Sequence, residues 1–180
     1  EYGVTGGAGV EFDNFRGKGQ KLNIGASTGT NFSIYTTQEP SKYRSLNISF
    51  QDPMINDSPY LVGASIFYSF RGSSTNYYFP LDFTVGGAVA SFGRRLEWPD
   101  DFFRVMWSAK FMQKEYEGSQ SDIDNYIGGL QKTRGISLSQ VLSRDSRNRA
   151  EFPTNGSTFI LENTYSCLLY TSDAADDDRS

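Results

Sequence analysis

The sequence predicts an all-β fold: an up-and-down antiparallel transmembrane β-barrel, represented by about eight strands. Three observations predict it. Between Val4 and Leu161, stretches of about ten residues alternate apolar and polar side chains, so each is a strand with one apolar and one wet face. The breaks between them alternate too, compact turn against longer polar loop. No run approaches the roughly 18 apolar residues of a membrane helix, whereas a barrel crosses lipid with only every second residue facing hydrocarbon.

The first strand sets Val4, Gly6, Ala8, Val10 and Phe12 against Thr5, Gly7, Gly9, Glu11 and Asp13. The turn Asn14 to Gly19 follows, its glycines open to positive φ. The second strand alternates Leu22, Ile24 and Ala26 with Lys21, Asn23, Gly25 and Ser27, and the third alternates Leu46, Ile48 and Phe50 with Ser45, Asn47, Ser49 and Gln51. Turn formers crowd residues 52–59 before a fourth strand carrying Val62, Ala64, Ile66, Tyr68 and Phe70. The fifth, near Asp82 to Arg94, is glycine-rich and alternates poorly. The sixth is the clearest: Phe103, Val105, Trp107, Ala109 and Phe111 against Arg104, Met106, Ser108, Lys110 and Met112. Two more strands are expected at about Ile136 to Ser146 and Thr158 to Ser166.

Compact connections are thus expected near 14–19, 52–59, 97–101 and 148–156, and longer polar ones near 28–40, 71–79 and 117–134. Outer-membrane barrels show this asymmetry of short turns and long loops. Aromatics such as Phe12, Phe50, Tyr60, Phe70, Trp98 and Tyr116 gather toward strand ends, as interfacial girdles do. A lysine or arginine facing mid-depth lipid costs roughly 2–4 kcal/mol, so Arg104 and Lys110 belong on a wet lumenal side. The competing reading is a soluble barrel or sandwich with the apolar face as core.

Composition narrows the function. The 180 residues hold 18 glycines, 15% aromatics and 37% hydrophobics, with a net charge of −4 and no histidine. Mean hydropathy is −0.50. The missing histidine removes the commonest general base and metal ligand. The basic residues form no stripe suited to nucleic acid. The pair Asp100 and Asp101 suits a turn after Pro99 better than a catalytic dyad. Glu117, Asp122 and Asp124 read as a solvated loop rather than an ion site. No catalytic residue, cofactor or metal is expected.

At the turns the sequence resembles a known family. Ser143 to Asn148, followed by Phe152-Pro153-Thr154-Asn155-Gly156-Ser157, resembles the bacterial surface antigen domain of the BamA-type outer-membrane assembly family, in which an Asp/Arg-rich strand end enters a Phe-Pro-x-x-Gly turn. Phe15, Gly17 and Gly19 are similar to that family's early barrel turn, and Asp52-Pro53 to its Asn/Asp-Pro turn. The resemblance covers about residues 1–166 and marks Phe15, Gly17, Gly19, Asp52, Pro53, Asp145, Arg147, Phe152, Pro153 and Gly156 as structural turn positions.

The resemblance implies a partial outer-membrane barrel, about eight strands of sixteen, with the lateral seam, the Arg-Gly-Phe loop and the periplasmic domains outside it. Such a segment cannot close on itself and is not expected to be stable alone. It also implies a role in folding and inserting β-barrel proteins into the bacterial outer membrane. The partners would be outer-membrane lipid, unfolded outer-membrane protein clients and accessory lipoproteins, with no nucleic acid. A translocating barrel of the same family, or a porin tuned by Glu11, Asp13, Lys21, Arg104 and Lys110, is the alternative. From Cys167 to Ser180 the chain resembles a translated sequencing adapter and is expected to be a disordered, non-native tail.

Overall fold

The computed structural model describes residues 2–32, 41–73, 80–149 and 151–170. They form one eight-stranded sheet in sequence order: β1 (Tyr2–Phe15), β2 (Gln20–Phe32), β3 (Ser41–Asp52), β4 (Tyr60–Arg71), β5 (Asp82–Arg95), β6 (Phe103–Glu117), β7 (Lys132–Asp145) and β8 (Thr158–Tyr170). Every neighbouring pair is antiparallel. Among the described residues β1 and β8 are edges that do not meet, so the sheet is open. No helix here is long and apolar enough to cross a membrane.

Alternation within each strand becomes two faces because the register carries it across the sheet. One row runs Val10, Ile24, Ile48, Ile66, Ala88, Phe111, Ile136, Cys167, apolar from edge to edge. The row beside it runs Glu11, Asn23, Ser49, Ser65, Val89, Lys110, Ser137, Ser166, and only Val89 is apolar. A slip of one residue anywhere would exchange the faces, which is why the pattern fixes the pairing.

The glycine-rich fifth strand is a full strand of 14 residues. Its neighbours supply the ladder bonds, and the Phe67 ring lies over Gly87, where an added Cβ would sit 2.6 Å from Cζ. An aromatic covering a cross-strand glycine makes good the missing side chain.

Several expected boundaries move. Residues 28–32 belong to β2, with 33–40 outside the described residues. Of the expected loop 71–79, residues 74–79 also lie outside them. The segment expected as loop from 117 to 134 contains a helix, α1 (Gln120–Ile127). Its ends were written in the sequence: Ser119 caps the N-terminus by accepting from the Asp122 N–H, and Gly128 takes the left-handed conformation at the C-terminus with φ 63°. The turn expected as compact at 148–156 is a connection of residues 146–157. Strand-to-strand connections number 4, 7, 7 and 12 residues at one end of the sheet and 8, 10 and 14 at the other. The asymmetry therefore holds except at β7–β8.

The strand expected to stop at Ser166 continues to Tyr170, with Cys167, Leu168, Leu169 and Tyr170 paired to Ile136, Gly135, Arg134 and Thr133. These four residues are thus sheet rather than disordered tail, because β7 still offers ladder partners at that height. The remainder of the expected tail, 171–180, lies outside the described residues.

Candidate functional site

The polar face is the concave, more enclosed one: on β4 Ser65, Phe67 and Ser69 are half-buried, whereas Ala64, Ile66 and Tyr68 are exposed. It holds a cleft of about 300 Å³ lined by residues including Glu11, Lys21, Asn23, Ser49, Ser65 and Ser91. Lys110 on β6 reaches the ring of Phe67, two strands away on β4, at 5.3 Å. Hydroxyl pairs cross the same face: Ser27 with Ser45 at 2.6 Å, Ser137 with Ser166 and Ser139 with Thr164 at 2.9 Å each. These groups need water or one another, and the concave side gives them both.

The convex face is apolar and exposed, with Val4 at 67%, Ile66 at 64% and Leu138 at 56% accessibility. A soluble sandwich would cover such a face; patches this large mark contact with protein or lipid. On β6 the stripe runs from Phe103 to Phe111, about 27 Å of strand, or about 21 Å of height at about 40° of tilt, near the about 25 Å apolar band of barrels. Polar groups bracket it. Arg94 and Arg144 hold one margin, while Gln113, Arg134 and the Glu115–Lys132 ion pair (3.5 Å) hold the other. Phe12, Phe50, Tyr60 and Phe70 lie near the margins of this face. Tyr116, expected in the same girdle, faces the concave side instead, 4.9 Å from Phe83.

At the short-turn end, the expected turn residues build two clasps. In the β1–β2 turn Arg16, Gly17 and Gly19 have φ of 58°, 70° and 68°. The Gly19 N–H donates to Asn14 Oδ1 at 2.6 Å, and the Arg16 guanidinium lies 5.4 Å over the Phe15 ring. Asp52, 8% exposed, is the buried acid of the described residues. Its Oδ1 accepts from the Met54 N–H at 3.0 Å across Pro53, and its Oδ2 accepts from Gln20 Nε2 at 2.7 Å. That second bond ties the β1–β2 turn to the β3–β4 turn.

The other clasp centres on Arg144. Its Nε and Nη2 lie 2.9 and 2.8 Å from Asp100 Oδ2, and its Nη1 donates to Ser146 Oγ at 3.0 Å and Ser157 Oγ at 3.1 Å. The guanidinium also lies 5.7 and 5.8 Å from the rings of Phe102 and Phe103. The β5–β6 and β7–β8 turns are thereby joined. Within the latter, Asp145 binds Arg147 through both oxygens at 2.8 and 2.7 Å. The hydrogen bond to Asp145 holds the Arg147 guanidinium above its ordinary pKa. Asn148 Oδ1 accepts from the N–H groups of Thr154 and Asn155 at 3.1 and 3.3 Å. Gly156 has φ 97° and lies against the Ser146 carbonyl, so no Cβ fits there. Phe152 points outward, 80% exposed, before the exposed Pro153.

The structure therefore gathers Asp145, Arg147 and Gly156 into one turn and leaves Phe152 without packing. Sequence reasoning missed Gln20 and, within the Ser143 to Asn148 motif, did not single out Arg144, Ser146 and Asn148. Arg144 carried a signal, since it is a cation on the apolar parity of β7 at the strand end, where a long side chain carries its charge to the polar margin. Asp100 and Asp101 are split: the first receives Arg144 and the Phe102 N–H (3.0 Å), while the carbonyl of the second receives Arg95 Nε (2.6 Å). At the loop end Asp122 accepts from the Ser119 hydroxyl and Asp124 from Gln120 at 3.1 Å. Among the described residues no group of three His, Cys, Asp or Glu is placed to hold a metal ion.

A sheet with an apolar convex face, a wet concave face and charged margins is the wall of a transmembrane β-barrel. The chain belongs to the Omp85 superfamily: the family's domain matches residues 14–175. Among solved structures it is similar to BamA from Haemophilus ducreyi lacking POTRA domains 1-3, with 18% identity and a TM-score of 0.57. That likeness covers 92% of this chain and 33% of the other, so the chain spans about a third of that barrel protein. No curated protein matches the chain.

Proposed function

We propose that the chain is part of an outer-membrane protein assembly factor that folds and inserts β-barrel proteins into the bacterial outer membrane. The observation that carries this reading is the Omp85 superfamily match over residues 14–175. The physics of the sheet supports it. β1 and β8 present edges whose backbone N–H and C=O groups cost several kcal/mol each if left unpaired in lipid. In a complete barrel both edges are met by further strands, and a client strand adds through main-chain hydrogen bonds at the lateral seam that the family resemblance implies outside this segment. Strand exchange makes and breaks no covalent bond, so it calls for no catalytic side chain, metal or cofactor. The partners of this role are outer-membrane lipid, unfolded barrel clients and accessory lipoproteins.

The second reading is protein translocation through the lumen, favoured by the wet concave face with Arg104 and Lys110. Depletion of the full-length protein in cells separates the two. Assembly predicts that many outer-membrane barrels lose their folded, heat-modifiable gel band together. Loss of one exported protein, with the other barrels intact, would replace assembly with translocation.

A further inference from the structure

The concave wall of β4 to β6 carries charge of one sign. Its inward positions include Arg71 on β4, Arg95 on β5, and Arg104, Lys110 and Lys114 on β6. Among the described residues, no Asp or Glu takes an inward position on β3, β4, β5 or β6. The acids of that face lie at the flanks, Glu11 and Asp13 on β1, Asp145 on β7 and Glu162 on β8. Arg95 and Arg104 stand directly opposite each other, with Arg95 Nε donating to the Asp101 carbonyl of the adjoining turn. Around these cations stand Ser65, Ser69, Ser91 and Ser108, hydroxyls able to donate and accept.

We infer that this wall is a docking track for an extended acidic polypeptide segment lying along the lumen. A small anion would engage only converging cations such as Arg95 and Arg104 and leave Lys110 and Lys114 unused. Along β6, by contrast, Arg104, Lys110 and Lys114 are separated by about 20 and about 14 Å at about 3.4 Å per residue. An extended peptide of about ten residues spans the same length. Its carboxylates meet the cations, and its backbone meets the serines between them. A wet cleft walled by hydrocarbon focuses the field of such a row. The inference rests on the barrel placement alone and holds for assembly and translocation alike.

The test uses the full-length protein in detergent and a fluorescein-labelled polyglutamate peptide of about ten residues, read by anisotropy. Polyglutamate binds at low salt, and an equally long Gly-Ser peptide does not. Lys110→Glu with Lys114→Glu weakens binding at least about tenfold, while Arg44→Glu, outward on β3 opposite Phe70, leaves it unchanged. Heat-modifiable mobility confirms that each variant is folded; should the double variant not fold, Lys110→Gln with Lys114→Gln is read instead and must also weaken binding. Undiminished binding in the folded variant, binding equally weakened by Arg44→Glu, or no binding by the unaltered protein overturns the inference. So does displacement by inorganic tripolyphosphate at equal charge, which marks a small-anion site. Client folding that survives depletion of the protein, with peptide binding intact, would count against the assembly reading only.

Discussion

Two clasps at the same end of the sheet do one task by different chemistry. Gln20 to Asp52 joins the β1–β2 and β3–β4 turns with an amide on a nearly buried carboxylate. Arg144 to Asp100 joins the β5–β6 and β7–β8 turns with an ion pair whose side chains are 27% and 34% exposed. The first rests on two bonds to one carboxylate, from the Met54 N–H and from Gln20. The second spreads one guanidinium over an acid, two serine hydroxyls and two rings. The difference follows from the loops being held. The β1–β2 turn has four residues and holds its own shape, whereas the β7–β8 connection has twelve and needs an external anchor.

The comparison can be broken first at Gly156. Gly156→Ala forces a Cβ into the Ser146 backbone at φ 97° and is expected to cost about 3 kcal/mol. The check is the midpoint of heat-modifiable gel migration of the full-length protein, and an unchanged midpoint would show that the turn relaxes freely. Next, Arg144→Ala is expected to cost about 2 kcal/mol, with an effect that shrinks as salt is raised to about 1 M. Arg144→Lys should recover less than half of the loss, because an ammonium lacks the fork that meets Asp100 and the serines together.

Gln20→Ala sharpens the contrast. It removes one donor from the buried Asp52 and should cost about 1.5 kcal/mol. Salt should barely alter that cost; a salt dependence equal to that of Arg144→Ala would erase the distinction. Smallest is Gly17→Ala, about 1 kcal/mol, because nothing lies within 4 Å of the new Cβ and only the φ of 70° resists it. A loss as large as that at Gly156 would mean the short turn is not self-supporting.

Much of this was legible in the residues. Alternation in β6 named both faces before any pairing was known, and the register placed Arg104 and Lys110 on the wet side as expected. The turn glycines were legible for the same local reason, since positive φ restricts residue type. β5 was poorly legible because Gly86 and Gly87 carry no alternation, and its strand character comes from β4 and β6. α1 was passed over because only Ile123 and Ile127 of its eight residues are aliphatic and its caps resemble loop residues. Arg144 was not singled out because its ion-pair partner, Asp100, lies in another turn, 44 positions away.

By itself, then, the sequence determined strand identity, the two faces and the turns that demand glycine. Each of these is local, set by a period of two or by one residue's allowed φ. Only the tertiary structure decided which turns are clasped, that β8 runs on to Tyr170, that Phe67 covers Gly87, and that cations gather on the concave wall of β4 to β6. Those facts depend on strand curvature and on side chains meeting across neighbouring strands, which no periodicity within one strand records.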